Sequence, residues 1–313
     1  MKPDVLLVEP MMAPIEASLD LSYCVHRLFE APDWKVLVAS IAPEVRGIVT
    51  GGATGASNDL IDRLPALEII AINGIGTDAV DLERAKRRKI RVTTTPDVLT
   101  DDVADLGIGL LLDAARQLSA ADRFVRAGRW TRREGLPLAR KVSGKKLGIV
   151  GMGRIGRAVA RRAQGFNLAI SYTDIQAFGD LPYRYEPDLE ALARDSDFLI
   201  VAAAGGPQSR GIVGASVLNA LGPKGILINI ARGTVVDEQA LVAALVEGRL
   251  GGAGLDVFVD EPNVPEPLWT LDSVVLQPHR ASATIDTRMA MGELVLVNLA
   301  AHFAGHEPKT AVI

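Results

Sequence analysis

The run Val150-Gly151-Met152-Gly153-Arg154-Ile155-Gly156 follows a short apolar segment, residues 146–150, and opens a helix-like stretch, residues 157–164. Three glycines at this spacing let a strand turn sharply into a helix, let backbone N–H groups approach a pyrophosphate, and let the helix pack close to the strand. A phosphate there meets unpaired amides and the positive end of the helix macrodipole. Gly151, Gly153, Arg154, Ile155 and Gly156 are therefore the first candidate binding residues.

The same pattern calls for an acidic residue roughly twenty positions on. Asp174 closes residues 168–173, which alternate as a second strand. A carboxylate there can accept hydrogen bonds from the adenosine ribose of NAD and repels the 2′-phosphate of NADP, which normally takes an arginine or lysine. Ile175 and Gln176 follow it. Charge thus favours NAD(H), with NADP(H) as the alternative; a turn-forming aspartate is the plainer reading of this residue.

Short apolar runs alternate with helix-like segments along the whole chain, as in parallel sheets covered on both faces. Residues 5–8, 36–39, 47–50, 69–72 and 91–93 read as strands, with helices at 59–64 and 81–88. A second series begins at Leu147 and runs through 198–202, 226–230, 254–257 and 274–276. One long helix, from Thr100 to about Ala127, is expected to bridge the two series, and residues 285–303 read as a last helix that can return to the first domain. The expected fold is α/β with two doubly wound domains. Residues 1–98 and 285–313 form a flavodoxin-like substrate domain, into which a Rossmann dinucleotide-binding domain, 99–284, is inserted, with a cleft between them.

Composition narrows the function classes. The 313 residues are 48% hydrophobic and 23% charged, as in ordinary globular proteins, and long enough for two domains. A net charge of −4 argues against nonspecific nucleic-acid binding, and the basic stretches 84–91 and 123–133 read as wet helix faces. One cysteine, Cys24, cannot form an internal disulfide, which suits a reducing cytoplasm; packing is its expected role. No Cys/His cluster suggests a metal, the amino terminus is too short in apolar residues for a signal peptide, and no run reaches the roughly 18 apolar residues of a membrane span.

Three further residues fall at strand ends in the second series, where open α/β sheets place their ligands. Arg232 follows 226–231, Glu261 follows 256–260, and His279 follows 274–278. Each alone also reads as a surface or structural group. Their joint placement at one sheet edge makes them candidate catalytic residues.

With these residues in place, the chain resembles the D-isomer-specific 2-hydroxyacid dehydrogenases, and within them the glyoxylate/hydroxypyruvate and hydroxyphenylpyruvate reductases. The resemblance is carried by Asn73-Gly74-Ile75-Gly76-Thr77-Asp78, residues 95–104, residues 150–157, Asn229-Ile230-Ala231-Arg232-Gly233, residues 254–258, Asp260-Glu261-Pro262 and residues 278–284. It implies that Arg232 holds the carboxylate and ketone of a 2-keto acid through its planar fork of donors. It implies that the Ile75 and Gly76 amides also hold the carboxylate, and Gly51, Gly52 and Ala53 are expected at the cleft mouth. His279 would protonate the ketone oxygen as hydride leaves the nicotinamide, and Glu261 would favour the imidazolium. Ile230 and Ala231 would line the cofactor, and Asp256 would bind the nicotinamide carboxamide.

The chain departs from the family pattern in two places. Arg280 stands beside His279 where the family often has an apolar residue; pointing outward, it leaves the histidine alone. Asp174-Ile175 stands where NADP-using relatives tend to carry a basic residue. The lack of a signal peptide and of a membrane span points to the cytoplasm, and the resemblance implies a homodimer built around residues 100–133, with the segment around Trp130 reaching across, although Trp130 equally suits ordinary packing. Leu136-Pro137-Leu138 would come from the partner subunit. The expected reaction is reduction of a small 2-keto acid of the glyoxylate or hydroxypyruvate type. Phosphoglycerate, D-lactate or hydroxyphenylpyruvate-type dehydrogenases are alternatives on the same core. Formate dehydrogenase pairs its histidine with glutamine rather than an acid. A nonenzymatic NAD(H)-sensing corepressor can retain all three groups.

Overall fold

A computed structural model describes residues 2–313, which form two compact units, residues 2–99 with Ser282–Ile313, and Thr100–Ala281. The first unit holds a parallel sheet of β1 (Asp4–Leu7), β2 (Cys24–Arg27), β3 (Val45–Gly51), β4 (Ile69–Asn73) and β5 (Arg91–Thr93), in the order β2-β1-β3-β4-β5. Alternate side chains serve opposite faces. Val5, Leu7, Val49, Ile69 and Ala71 pack with Leu19, Val295 and Leu299 of the helices Ala13–Ser22 and Ile285–Phe303. Leu6, Ile48, Ile70 and Ile72 pack on the other face with Val38, Ile41, Leu60 and Ile61. Both faces being covered explains why these strands are apolar throughout.

The carboxyl-terminal residues finish this sheet. Val312 N–H donates to Val92 O at 2.7 Å and Thr94 N–H to Thr310 O at 3.3 Å, so the last residues lie along the outer edge of β5. Asn298, fully buried in the last helix, donates to Thr310 Oγ1 at 2.7 Å and accepts from Thr310 N–H at 3.2 Å, fixing that segment.

The second unit holds a seven-stranded parallel sheet. Its strands are β6 (Lys146–Val150), β7 (Ala169–Thr173), β8 (Arg184–Tyr185), β9 (Phe198–Val201), β10 (Ile226–Asn229), β11 (Gly252–Leu255) and β12 (Val274–Leu276), ordered β12-β11-β10-β9-β6-β7-β8. Leu199, Val201, Leu227, Ala253 and Leu255 form a core with Leu192, Val217, Leu218, Leu241 and Leu245 of three covering helices. The strand order reverses between β6 and β9, the position where open α/β sheets bind nucleotides. No helix among the described residues is long and apolar enough to cross a membrane.

Several expectations need correction. Residues 36–39 are not a strand but part of the helix Trp34–Ile41. Four apolar residues in succession fit either element; Asp33, accepting from Lys35 N–H at 2.8 Å, caps a helix, and Val38 and Ile41 are buried while Val36 is 66% exposed. The second strand of the first sheet is instead β2, preceded by the helix Ala13–Ser22. The bridging helix is two helices, Thr100–Arg116 and Leu118–Arg126, broken by Gln117 at φ +56°. Asp113 fastens the break by accepting from the Ser119 N–H at 2.8 Å and its hydroxyl at 2.5 Å. Strand β11 lies two residues earlier than 254–257, because Gly252 and Ala253 pair with Ile226 and Leu227. Cys24 is exposed on β2 rather than packed.

The basic stretches serve local structure. Arg84 pairs with Asp62 at 2.6 Å, and Arg88 caps the carbonyls of Ile61 and Leu64. Arg126 pairs with Asp122 at 2.7 Å, and Arg129 with Glu134 at 2.6 Å.

The cap at Asp33 makes a testable case. Asp33→Ala should lower the stability of the chain by about 1 kcal/mol; an unchanged urea midpoint would show that tertiary packing alone holds residues 34–41 helical.

Candidate active site

In a wholly parallel sheet every carboxyl-terminal strand end lies on one edge. That edge of the second unit collects the loops after β6, β7, β10, β11 and β12. The glycine-rich loop follows β6, and its three glycines have different surroundings. Gly151 has φ +91°, and a β-carbon on it would sit 2.6 Å from Ala203 Cα. On Gly156 a β-carbon would overlap the Gly151 carbonyl. Nothing lies within 4 Å of where a β-carbon on Gly153 would be. Gly153 is also the amino-terminal cap of the helix Arg154–Gln164, with no side chain closing the helix end. Two glycines are thus required by packing, whereas the middle one leaves open space at the amino-terminal end of the helix Arg154–Gln164. A pyrophosphate could be held there, and the residues present fit a dinucleotide.

Asp174, at the end of β7, is tied into this loop. Its Oδ2 accepts from Met152 N–H at 2.6 Å and its Oδ1 from Ile175 N–H at 2.7 Å. Nearby, Arg157 pairs with Asp180 at 2.5 Å and stacks 4.8 Å from the centre of the Phe178 ring. This cation is already engaged.

The reactive groups come from the next three loops. Asn229, buried at the end of β10, accepts from Ala231 N–H at 3.0 Å and donates to Arg232 O at 3.0 Å. It shapes the turn through Ile230, Ala231 and Arg232. Gly233 then meets the backbone of Phe258, where a β-carbon would overlap, so the turn bearing Arg232 presses against the loop bearing Glu261. Glu261 Oε1 accepts from Phe258 N–H at 3.0 Å, and its Oε2 lies 2.7 Å from His279 Nδ1. Burial works to raise the Glu261 pKa, but the hydrogen bonds from His279 and Phe258, with the positive charges of His279 and Arg232, outweigh it. The carboxyl is held below its ordinary range. With Nδ1–H committed to this carboxylate, Nε2 is the nitrogen left to exchange a proton.

His279 has φ +50°, a left-handed conformation costly for a residue with a β-carbon. Asp256 holds it there. The Asp256 carbonyl accepts from His279 N–H at 2.8 Å, and its carboxylate accepts from Arg280 N–H at 2.7 Å and Ala281 N–H at 3.0 Å. Asp256 is 1% exposed, and burial raises its pKa against those bonds. Both carboxylate oxygens of Asp256 accept from this turn. Arg280 is exposed.

The edge of the first sheet carries its own loops. Gly51 ends β3, and Gly74, Ile75 and Gly76 follow β4, with Ile75 40% exposed. A β-carbon on Gly52 would lie 3.4 Å from Gly76 O and 3.5 Å from Gly76 N, so the two loops touch. Glu9, just after β1, accepts from the Thr54 hydroxyl and covers Gly51. Sequence reasoning missed Glu9, Asn229 and the clamping contacts of Asp256; a polar residue at the end of an apolar strand was the available signal for each. The fold also brings Asp4, Cys24 and His26 together at the β1–β2 edge, their ligand atoms within 4.8 Å of one another.

The family model described as "D-isomer specific 2-hydroxyacid dehydrogenase, NAD binding domain" matches residues 108–281. The chain belongs to this family. Glyoxylate/hydroxypyruvate reductase A of Arabidopsis thaliana is 47% identical over 309 residues, covering 99% of this chain and 98% of that one. The 2-ketogluconate reductase of Gluconobacter oxydans is 44% identical over 312 residues, covering 100% of this chain and 99% of that one. The solved NADPH-dependent glyoxylate/hydroxypyruvate reductase of Sinorhizobium meliloti, in complex with NADP and malonate, superposes with a TM-score of 0.94 at 43% identity, covering 100% of this chain and 97% of that one. As a D-2-hydroxyacid dehydrogenase family member, the chain is an oxidoreductase that works with a nicotinamide cofactor.

The Glu261–His279 pair generates the test of this site. Glu261→Gln keeps an acceptor for Nδ1–H but removes the negative charge beside the imidazole. Reduction should fall at least about tenfold while cofactor affinity stays nearly intact. An unchanged rate of reduction would contradict a role for the charge.

Proposed function

We propose that the chain reduces a small 2-keto acid to the D-2-hydroxy acid, with NADH as the preferred reductant. The observation that carries this reading is the 2.7 Å pair of Glu261 and His279 on the same sheet edge as the open pyrophosphate cradle. A bound nicotinamide supplies a hydride to the carbonyl carbon. Arg232 offers a fork of donors to the carboxylate and ketone oxygens, which fixes the acid and polarises the carbonyl. The Ile75 and Gly76 amides, in the glycine turn after β4, are assigned to a substrate carboxylate. His279, protonated and oriented by Glu261, gives the Nε2 proton to the oxygen as negative charge develops there, leaving a neutral imidazole. The product gains one hydrogen on carbon and one on oxygen, so the reduction balances. Asp256 takes no part in that transfer and positions the turn that makes it.

Asp174 supports NADH. Its negative charge lies beside the cradle, where the 2′-phosphate of NADPH would meet repulsion, and Arg157 is committed to Asp180 and Phe178. The Sinorhizobium relative is NADPH-dependent; the preference proposed for the present chain differs and rests on Asp174. A homodimer in the cytoplasm is proposed as well. What supports the homodimer is the run of exposed apolar side chains Leu118, Val125, Trp130, Leu136 and Leu138, the last 98% exposed.

Two measurements test these assignments. His279→Ala should lower kcat by about 10²–10⁴ while leaving NADH affinity nearly intact; unchanged turnover would remove the proton donor. Asp174→Asn keeps an acceptor for Met152 N–H without the charge and should raise kcat/KM for NADPH relative to NADH at least about tenfold. A wild-type chain that already prefers NADPH would overturn the cofactor assignment.

A further inference from the structure

We propose that Glu9 is a specificity residue that reads a hydroxyl group on the substrate tail, so that this chain favours 2-keto acids hydroxylated at C3 or beyond. The proposal rests on the reading above, in which the Ile75–Gly76 turn takes the substrate carboxylate. The chain leaves β1 for β2 on one side and returns to β3 on the other, so the strand order of the first sheet reverses between β1 and β3. Ligands of open parallel sheets lie outside the carboxyl ends of the strands at such a reversal. Glu9 follows the end of β1, and Gly51 ends β3.

The glutamate is held in place there. Thr54 donates its hydroxyl to Oε2, and the carboxylate lies over Gly51 so closely that a β-carbon at position 51 would overlap it. Gly52 continues from that point into contact with the backbone of Gly74 and Gly76. The carboxylate and the glycine turn after β4 therefore border one short stretch of the same sheet edge. Glu9 is not needed to build its surroundings: the 51–55 turn is already closed by Gly55 N–H to Gly51 O at 2.9 Å and by the Thr50 hydroxyl to Gly55 O at 2.5 Å.

The chemistry follows from what a carboxylate can do. It accepts hydrogen bonds at several lone-pair sites and donates none, and Thr54 occupies only part of that capacity. A hydroxylated tail supplies donors to the remaining sites. A methyl or phenyl tail would strip water from the carboxylate and return nothing, and a second carboxylate on the tail would meet like charge. With N–H donors at Ile75–Gly76 and an acceptor at Glu9, the acid end and the hydroxyl end of a substrate have only one favourable orientation.

The test compares kcat/KM for matched pairs, hydroxypyruvate against pyruvate and 2-keto-4-hydroxybutyrate against 2-ketobutyrate, with each reduced cofactor, in wild type, Glu9→Gln and Glu9→Ala. Wild type should prefer the hydroxylated member by about tenfold to hundredfold. Glu9→Ala should erase most of that ratio through the hydroxylated substrate. Glu9→Gln, which keeps an acceptor, should retain part of it and gain activity on oxaloacetate. NADH binding by each variant serves as the folding control. Ratios unchanged in Glu9→Ala, in a chain that still reduces hydroxypyruvate, would overturn the role of Glu9 and leave the reductase reading standing. No turnover of any 2-keto acid by wild type would overturn that reading and this one with it.

Discussion

Burying the Asp256 carboxylate costs solvation, and the N–H groups of Arg280 and Ala281 that it accepts offset that cost while fixing the turn between them. The rest of the site depends on this interaction. A histidine at φ +50° carries a penalty of about 1–2 kcal/mol. Three hydrogen bonds to a single residue hold it against that penalty, and only then does Nδ1 reach Glu261. The reactive geometry is thus set by backbone contacts between the ends of β11 and β12, with the His–Glu pair built on top of them.

The second unit uses one sheet edge for two tasks with opposite electrostatic needs. At the reversal between β6 and β9, an unclosed helix end favours an anion. Along β10 to β12, a guanidinium, a carboxylate and an imidazole stand close together, and the carboxyl of Glu261 is held below its ordinary range. Burial alone would raise its pKa. Its two hydrogen bonds and the adjacent cations decide the balance the other way.

Much of this was legible in the sequence because it is local. The glycine spacing, Asp174 after its strand, and Arg232, Glu261 and His279 after theirs are all covalent neighbours of elements with clear apolar runs. Contacts between strands were not legible. That Asp256 would clamp residues 280 and 281 depends on β11 pairing with β12, and that Glu9 would cover Gly51 depends on β1 pairing with β3. Residues 36–39 were misread because a short apolar run does not distinguish strand from helix, and the deciding side chain was Asp33 outside the run. The break at Gln117 was invisible for another reason: no glycine or proline marks it, and the apolar content continues through it.

The tail of the chain has a consequence for how the protein is made. Residues 310–313 pair with the outer strand of the first sheet, and the helix Ile285–Phe303 covers one of its faces, yet the whole second unit is encoded in between. During synthesis the earlier strands emerge long before their lid and their border do. Until residues 285–313 emerge, the nascent sheet shows bare apolar side chains and an unpaired ladder, the surface that seeks another chain. The second unit, contiguous from Thr100 to Ala281, has no such wait, so the coenzyme-binding half can settle while the other half is still exposed to chaperones.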